Sequence, residues 1–329
     1  MAVIPEIPDT ASGKVLRRQQ MKYSVVFSIP VHEKLGVIVD QIININHFNP
    51  NCAIVLHLSK KFDYTGTVMS EEQFRRITNG FGNVFINENR LDTVYFNIVH
   101  THVSNFEYIA DKADFEYFVL TASNELFVRP GLYDMISAYP CGFNYEFLQS
   151  RMSWSHRGKA LHDPVISDIC LFFGQDMSQI VSAQVEGTFF SRELFGKVVE
   201  VLKQVYPVTG AEPAVLYPRE EVYYHAIAFF LMEDKTKIFR ARMTYVAFDI
   251  IGCIPYIWTI RKVRTRSVTD YSVKRVSREL NDPNRSYIRC QCGNYFDEVH
   301  SILPDACRVP LTAVYGHSVF CFSIIGLGN

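Results

Sequence analysis

The chain has 329 residues, of which 48% are hydrophobic and 20% are charged. This is the composition of an ordinary globular protein, and it excludes a disordered chain, a collagen-like repeat and a coiled coil. Lys and Arg together number 33 and Asp and Glu together number 34, so the net charge gives no support to a nucleic-acid partner.

The first 22 residues are polar and lack the apolar stretch of a secretory signal peptide. No apolar run reaches the ~18 residues that a transmembrane helix needs. We therefore expect a flexible polar tail over residues 1–22 and a cytoplasmic protein. A peripheral position at the inner face of a membrane stays open as an alternative.

Cysteine spacing does not favour a metal site. The chain contains eight Cys, and most of them lie in apolar runs, where a thiol behaves as a small hydrophobe. Cys290 and Cys292 are separated by one residue, which is closer than the C-x₂₋₄-C spacing of structural zinc sites. We predict no metal ligands, and the redox state of this pair is left open.

The first elements in chain order predict a βαβ unit. Residues 23–30 form a β-branched and aromatic run that ends at a proline, which is typical of a buried strand. Apolar residues at helical spacing follow over 33–46, and a second apolar run covers 52–58. A strand, a helix and a strand within this length predict two parallel strands joined by a right-handed crossover.

The same alternation continues to residue 121. It predicts a strand over 83–86, a helix over 93–110 with a cap near Asp92, and a strand over 115–121. Strands that are apolar on both faces suit a mostly parallel sheet covered by helices on both sides. The predicted fold is an open α/β sheet, with ligands expected beyond the carboxyl ends of its strands.

Beyond residue 130 the pattern is weaker. It predicts a helix over 131–139, irregular structure over 140–180, a strand over 184–190, a helix over 191–205 capped by Ser191, and a helix over 218–230. Residues 261–289 hold nine basic and three acidic side chains, which is a local excess of positive charge.

Several catalytic motifs are absent from the sequence. There is no G-x-x-x-x-G-K-[ST] phosphate loop, no G-x-G-x-x-G after the first strand, no H-E-x-x-H and no G-x-S-x-G. Asp-x-Asp is also missing, and many sugar-nucleotide enzymes use that motif to hold a divalent cation.

Three blocks of sequence carry a family resemblance. They are residues 27–33 with 54–59, residues 83–86 with 117–128, and residues 186–192 with 218–226. In order and spacing, over roughly residues 23–232, they resemble the core-2/I-branching β-1,6-N-acetylglucosaminyltransferase family, which includes the peptide xylosyltransferases. The chain departs from the family at Ser59, where Asp is usual, at Ser123-Asn124-Glu125, where Gly-Gln-Asp is usual, and at Tyr224, where Trp is usual. The chain therefore resembles a divergent, microbial or viral member of this family.

The resemblance implies a GT-A-like fold and an inverting, metal-independent glycosyltransferase that uses no cofactor. The donor would be a UDP-sugar, with N-acetylglucosamine or xylose favoured. The acceptor would be a hydroxyl of a glycan or glycolipid in surface polysaccharide synthesis. The implied domains are a catalytic domain over residues 23–255 and a basic segment over 256–329 that completes the donor site.

The resemblance also assigns site residues. Glu221 aligns with the family's catalytic base, and Glu220 is the alternative; an ordinary role for both, as first-turn acids that complement the helix dipole, stays open. The residues predicted to bind the nucleotide-sugar are Pro30, Val31, His32, Ser59, Lys274, Arg275 and Arg278. The residues predicted to bind the acceptor are Asn124, Glu125, Trp154, Glu186 and Tyr224.

Two other functions stay open. The substitutions at Ser59 and at 123–125 also suit a catalytically inactive relative that binds a glycan or a nucleotide. The basic stretch over 261–289 also suits a scaffold at an anionic membrane surface, whose binding would fade with salt. A nucleic-acid partner is not expected, because aromatic residues do not interleave with the basic run.

Overall fold

The computed structural model describes residues 21–60, 62, 69–93, 98–123, 125–127, 130–152, 154–208, 217–240, 244–246 and 262–264. The strands are β1 Met21–Val31, β2 Cys52–Leu58, β3 Val84–Ile86, β4 Ala113–Leu120, β5 Glu125–Phe127, β6 Cys141–Gly142, β7 Glu146–Phe147, β8 Val181–Ser182, β9 Phe189–Ser191, β10 Ile238–Phe239, β11 Thr244–Val246 and β12 Lys262–Arg264. The α-helices are α1 Leu35–Phe48, α2 Glu71–Asn79, α3 Val99–Ala110, α4 Leu132–Ile136, α5 Arg157–Ala160, α6 Pro164–Phe173, α7 Arg192–Val205 and α8 Tyr223–Leu231. Short 3₁₀ turns cover Leu148–Ser150, Met177–Gln179, Arg219–Glu221 and Lys235–Lys237.

Seven strands form the central sheet, in the order β10-β6-β9-β4-β1-β2-β3. β1 is parallel to both β2 and β4, and β2 is parallel to β3. β9 is antiparallel to its neighbours β4 and β6. The predicted open, mostly parallel α/β sheet is confirmed.

Both faces of the sheet are covered because its strands are apolar on both sides. Along β2, Ile54 and Leu56 pack with α1, α2 and α4, whereas Ala53 and Val55 face the core formed with α3, α6, α7 and α8. All seven residues of β2 are buried. A strand whose successive side chains enter two different cores cannot slip by one residue without exchanging both sets, which fixes its register.

Helix α7 shows how local sequence sets a boundary. The side chain of Ser191 accepts a hydrogen bond from the Leu194 amide, and Glu193 lies in the first turn. Both features stabilise the amino end of a helix, whose first amides have no partner within the helix. The predicted cap at Ser191 is confirmed.

Several predicted boundaries were wrong. α3 begins at Val99, and Asp92 does not cap it. The strand predicted over 184–190 is limited to β9, and the stretch predicted to be irregular contains α6, whose cap is Asp163. β1 begins at Met21, so the last two residues of the predicted tail belong to the sheet.

The predicted helix over 218–230 is interrupted. Residues 219–221 form a 3₁₀ turn, and α8 starts only at Tyr223. Val222 lies between them with φ −116° and ψ −53°, away from helical values. Glu220 and Glu221 therefore lie in a separate turn that precedes the helix, and not in its first turn.

Candidate active site

The ends of β1 and β4 are tied together at the carboxyl edge of the sheet. The backbone N–H of His32 donates to the Ser123 hydroxyl over 3.1 Å. Pro30 and Val31 are buried within β1, whereas the His32 side chain is exposed. Of these three predicted nucleotide contacts, His32 is the one whose side chain is open to a ligand.

Ser59 holds a neighbouring segment against β2. Its buried hydroxyl accepts from the Thr93 amide at 3.1 Å, and the Lys60 amide donates to the Leu91 carbonyl at 3.2 Å. His57 Nε2 accepts from the Leu91 amide at 3.0 Å. Ser59 therefore has a clear role in ordering residues 91–93, and its contact with a nucleotide stays a prediction.

Two amide side chains of α1 position the turn after β4. Gln41 Nε2 donates to the carbonyls of Ala122 (2.7 Å) and Glu125 (3.0 Å). Asn44 donates to the Phe127 carbonyl at 3.1 Å and accepts from the Phe127 amide at 2.6 Å. The turn is thus fixed by the side chains of a helix more than 70 residues away in sequence.

Glu125 closes this turn. Its side chain is buried, and its Oε2 accepts from the Ala122 amide at 3.1 Å. The carboxylate turns back onto its own loop, where it satisfies a partly buried N–H. The structure therefore places Glu125 inside the turn, and not on the open surface expected of an acceptor contact.

The C-terminal part of the chain reaches the same turn. β12 pairs antiparallel with β5, with Arg264 opposite Glu125, and it pairs parallel with β11. The start of the predicted basic segment thus lies beside the carboxyl edge of the sheet. Asn124, Lys274, Arg275, Arg278 and the Cys290–Cys292 pair, as well as the boundary at residue 255, lie outside the described residues.

A buried polar network lies beneath this edge, and the sequence analysis missed it. His102 Nδ1 lies 2.8 Å from the Ser28 hydroxyl, and Asn105 donates to the same hydroxyl at 3.0 Å. Burial lowers the pKa of His102 to about 3, and it also lowers the pKa of His57. Both imidazoles are therefore neutral at pH 7, and the network links β1 to α3. In the sequence, the sign of this network is a set of polar residues within apolar runs.

Glu220 is one of two neighbouring acids with different surroundings. Its side chain is buried, and it accepts a hydrogen bond from the Ile98 amide at the start of α3. Its Oε2 has no hydrogen-bond partner among the described residues. Burial, with a further contribution from the charge of Glu221, raises the pKa of Glu220 to about 7.

Glu221 is more open and has a cationic partner. Its side chain is 20% exposed, and its Oε2 lies 3.2 Å from Nη1 of Arg151. Burial raises the pKa of Glu221, and Arg151 opposes that rise. A partly exposed carboxylate held by a cationic partner can act as a general base when it is ionised.

Hydrogen bonds place the 219–221 turn at the carboxyl end of β4. The Glu221 carbonyl accepts from His225 Nδ1 at 2.9 Å and from the Ala183 amide at 2.9 Å. His225 Nε2 lies 3.0 Å from the Thr188 hydroxyl, and the Thr188 carbonyl accepts from the Leu120 amide at 2.9 Å. Glu220 and Glu221 therefore belong to the edge where ligands of parallel α/β sheets bind.

A buried carboxylate, that of Asp163, also anchors the same turn. Asp163 Oδ2 accepts from the hydroxyls of Tyr217 (2.6 Å) and Tyr223 (2.8 Å) and from Arg219 Nε (3.0 Å). These hydrogen bonds and the charge of Arg219 lower the pKa of Asp163 against the opposing effect of burial. Asp163 thereby ties α6 to both flanks of Glu220 and Glu221.

Two further predicted acceptor contacts, Tyr224 and Trp154, are also placed differently from the expectation. Tyr224 is completely buried, and its hydroxyl donates to the Val99 carbonyl at 2.5 Å, so this aromatic residue belongs to the core and not to an acceptor surface. Trp154 is partly buried, and the Arg151 guanidinium covers its ring at 4.7 Å. Glu186 is partly buried in the loop before β9.

The loop after Glu186 depends on a glycine. Gly187 has φ +84°, and a Cβ built there would lie 2.6 Å from the Thr244 hydroxyl. We expect Gly187→Ala to destabilise the protein by more than the ~1–2 kcal/mol of a left-handed alanine alone, because β11 must also shift. Urea unfolding would measure the difference.

Gly82→Ala is the matched control for this prediction. Gly82 has φ +69°, but among the described residues no atom beyond its chain neighbours lies within 4 Å of a Cβ built there. Equal destabilisation by the two substitutions would contradict the predicted contact with Thr244. The double variant Gly187→Ala/Thr244→Ala should recover part of the loss.

Within the ranges that the structure describes, no group of three or more His, Cys, Asp and Glu side chains is arranged to hold a metal ion. In the same ranges, no helix combines the length and the apolar character needed to cross a membrane.

No protein-family model matches the chain. The chain is similar to the chondroitin synthase of Pasteurella multocida (strain Pm70), with 22% identity over 251 residues that cover 72% of this chain and 25% of that protein. It spans about a quarter of the length of this relative.

Solved structures similar to this chain include the following two. An active-site mutant of LgtC shares 13% identity at a TM-score of 0.41, covering 78% of this chain and 94% of the other. The bifunctional glycosyltransferase WbbM, in its apo form, shares 11% identity at a TM-score of 0.38, covering 76% of this chain and 46% of the other.

Proposed function

We propose that this chain is a glycosyltransferase whose active site lies at the carboxyl edge of the seven-stranded sheet. The observation that carries the proposal is the pair Glu220 and Glu221, a buried acid beside a partly exposed, arginine-bound one, in a turn at the end of β4. The similarity to a chondroitin synthase supports the same class of reaction.

The type of mechanism, the donor and the acceptor are proposed from the sequence. We propose a GT-A-like, inverting and metal-independent enzyme related to the core-2/I-branching family, with a UDP-sugar as donor and a glycan or glycolipid hydroxyl as acceptor. N-acetylglucosamine and xylose are the favoured sugars. In this proposal Lys274, Arg275 and Arg278 neutralise the diphosphate, since fixed cations can stabilise a leaving group where no metal does so.

Glu221 is the better candidate for the base. In the proposed reaction the acceptor oxygen attacks the anomeric carbon from the face opposite UDP. The bond between that carbon and the UDP oxygen breaks, its electron pair leaves with UDP, and the hydroxyl proton passes to the Glu221 carboxylate. This role needs an ionised group within reach of substrate, and Glu221 is partly exposed and arginine-paired whereas Glu220 is buried.

The alternative is a catalytically inactive protein that binds a glycan or a nucleotide. Two contacts favour it: Ser59 is engaged by the Thr93 amide, and Glu125 by the Ala122 amide, at positions where the resembled family has acidic residues. Such a protein would bind a nucleotide without turning over any donor.

A thermal-shift screen against UDP, GDP, CDP, TDP and their sugar conjugates, with and without EDTA, tests nucleotide binding. A ligand at ~100 times its dissociation constant that binds only the folded protein adds ~2.7 kcal/mol to stability. We expect a shift with UDP that survives EDTA. A shift seen only with a divalent cation contradicts metal independence, and no shift with any nucleotide contradicts the donor assignment.

A further inference from the structure

Arg151 lies where three separate elements meet. It follows the 3₁₀ turn after β7, and its amide donates to the Phe147 carbonyl at 3.0 Å. Its Nη1 lies 3.3 Å from the Ser182 hydroxyl on β8 and 3.2 Å from Glu221 Oε2. Its guanidinium stacks over the Trp154 ring at 4.7 Å. The guanidinium is therefore held in place by groups other than Glu221.

We propose that Arg151 is a positioning residue that holds the Glu221 carboxylate oriented and ionised for proton abstraction, and that Trp154 holds Arg151 in that position. This inference rests on the proposed function, because it assumes that Glu221 is the base. It gives Trp154 the role of a support for the guanidinium, which differs from the predicted role of a platform for the acceptor sugar.

Burial separates this ion pair from an ordinary surface pair. The side chains of Arg151 and Glu221 are 18% and 20% exposed, so water screens their attraction only in part. Exposed pairs gain little because two long side chains must be immobilised. Here Trp154 and Ser182 already restrict the guanidinium, and a planar, pre-oriented donor loses less freedom when it binds a carboxylate.

The other ionisable groups around Glu221 do not replace Arg151. Glu220 lies in the same turn, and negative charges on Glu220 and Glu221 disfavour each other. His225 packs from α8 onto the Glu221 carbonyl, and burial lowers its pKa to about 3, so it carries no charge at neutral pH. Arg151 is the cation paired with Glu221 in the described part of the chain.

The sign of the expected pH effect follows from this arrangement. Arg151 lowers the pKa of Glu221, so its removal raises that pKa. A base acts only when it is ionised, and the acidic limb of the kcat/KM profile therefore moves to higher pH. In Arg151→Met we expect a loss on the order of tenfold at pH 6 that is recovered in part at pH 8.5.

The conservative variants test the geometry. Arg151→Lys keeps the charge and should restore the position of the acidic limb, with activity between those of Arg151→Met and the wild type. Trp154→Phe keeps a ring beneath the guanidinium and should stay close to wild type. Trp154→Ala removes the ring and should shift the limb in the same direction as Arg151→Met.

Arg192→Met is the matched control, because Arg192 also pairs with a carboxylate and also covers an aromatic ring. Its Nη1 lies 2.7 Å from Asp114, and its guanidinium lies 4.8 Å from the Phe115 ring, at the amino end of β4. We expect it to leave the pH profile unchanged. Thermal melting of each variant reports whether it is folded.

The outcomes separate this inference from the proposed function. One outcome is that the wild type transfers sugar, that Glu221→Gln does not, and that folded Arg151→Met keeps the wild-type pH profile. In that case Arg151 is not a positioning residue, whereas the proposed function stands. If the wild type turns over no donor, the proposed function fails, and the inference falls with it. A shifted limb in Arg151→Met that is restored in Arg151→Lys supports the inference.

Discussion

Glu221→Gln is expected to lower kcat by about 10²–10⁴-fold, which is the typical contribution of a general base. The amide has nearly the shape of the carboxylate but does not accept a proton at neutral pH. In the described part of the chain, the partner of the Glu221 side chain is Arg151, so the fold should tolerate the change. Steady-state kinetics with saturating donor and acceptor measure it.

Two further variants make this result specific. Glu193→Gln alters an exposed acid in the first turn of α7, which is paired with Lys197, and should keep wild-type activity. Glu220→Gln alters the buried neighbour and reports whether the alternative base is used. Full activity in Glu221→Gln, with loss in Glu220→Gln, would transfer the role of the base to Glu220.

Asp163→Asn should cause the largest loss of stability among the variants described. It removes the charge that pairs with Arg219, and the side chains of Arg219 and Asp163 are only 11% and 3% exposed. Removing one partner of a buried pair costs about 3–5 kcal/mol, because the remaining charge is left uncompensated. Urea denaturation followed by circular dichroism measures this loss in the free energy of unfolding.

The pH dependence of this loss has a defined sign. The pKa of Asp163 is lower in the folded protein than in the unfolded chain, so its contribution is present above the unfolded value of about 4. It is lost as pH falls through the folded-state value. The difference between wild type and Asp163→Asn should therefore be constant near pH 7 and shrink at acid pH.

Asp176→Asn is the control for Asp163→Asn. Asp176 is an exposed acid that accepts from the Ser178 amide at the start of a 3₁₀ turn. In the described ranges it is paired with no buried cation, and we expect a much smaller change in stability. An equal loss in the two variants would contradict the role assigned to the Asp163 network.

The sequence correctly predicted the elements that depend on interactions between residues close together in the chain. β2 has the predicted bounds, because an apolar run between polar breaks is enough to define a buried strand. The cap of α7 was also correct, because Ser191 and the amide that it accepts from lie three residues apart. Both features depend on residues that are close together in the chain.

The site depended on contacts between distant segments. Arg151 and Glu221 are 70 residues apart, and Gln41 and Glu125 are 84 residues apart. Periodic patterns in the sequence do not reveal such pairings, so Glu125 and Trp154 were both predicted to contact the acceptor. The interruption at Val222 was missed for a similar reason, since Asp163, which anchors this turn, is the distant N-cap of α6.

Release of UDP from UDP-N-acetylglucosamine and UDP-xylose, with a panel of acceptor saccharides in EDTA, tests the central claim most directly. We predict that the wild type releases UDP and forms a product whose mass increases by one sugar residue, and that Glu221→Gln does so at least 10²-fold more slowly. Binding of UDP by the folded wild type, without release of UDP from any donor, would contradict glycosyl transfer and leave a nucleotide-binding protein.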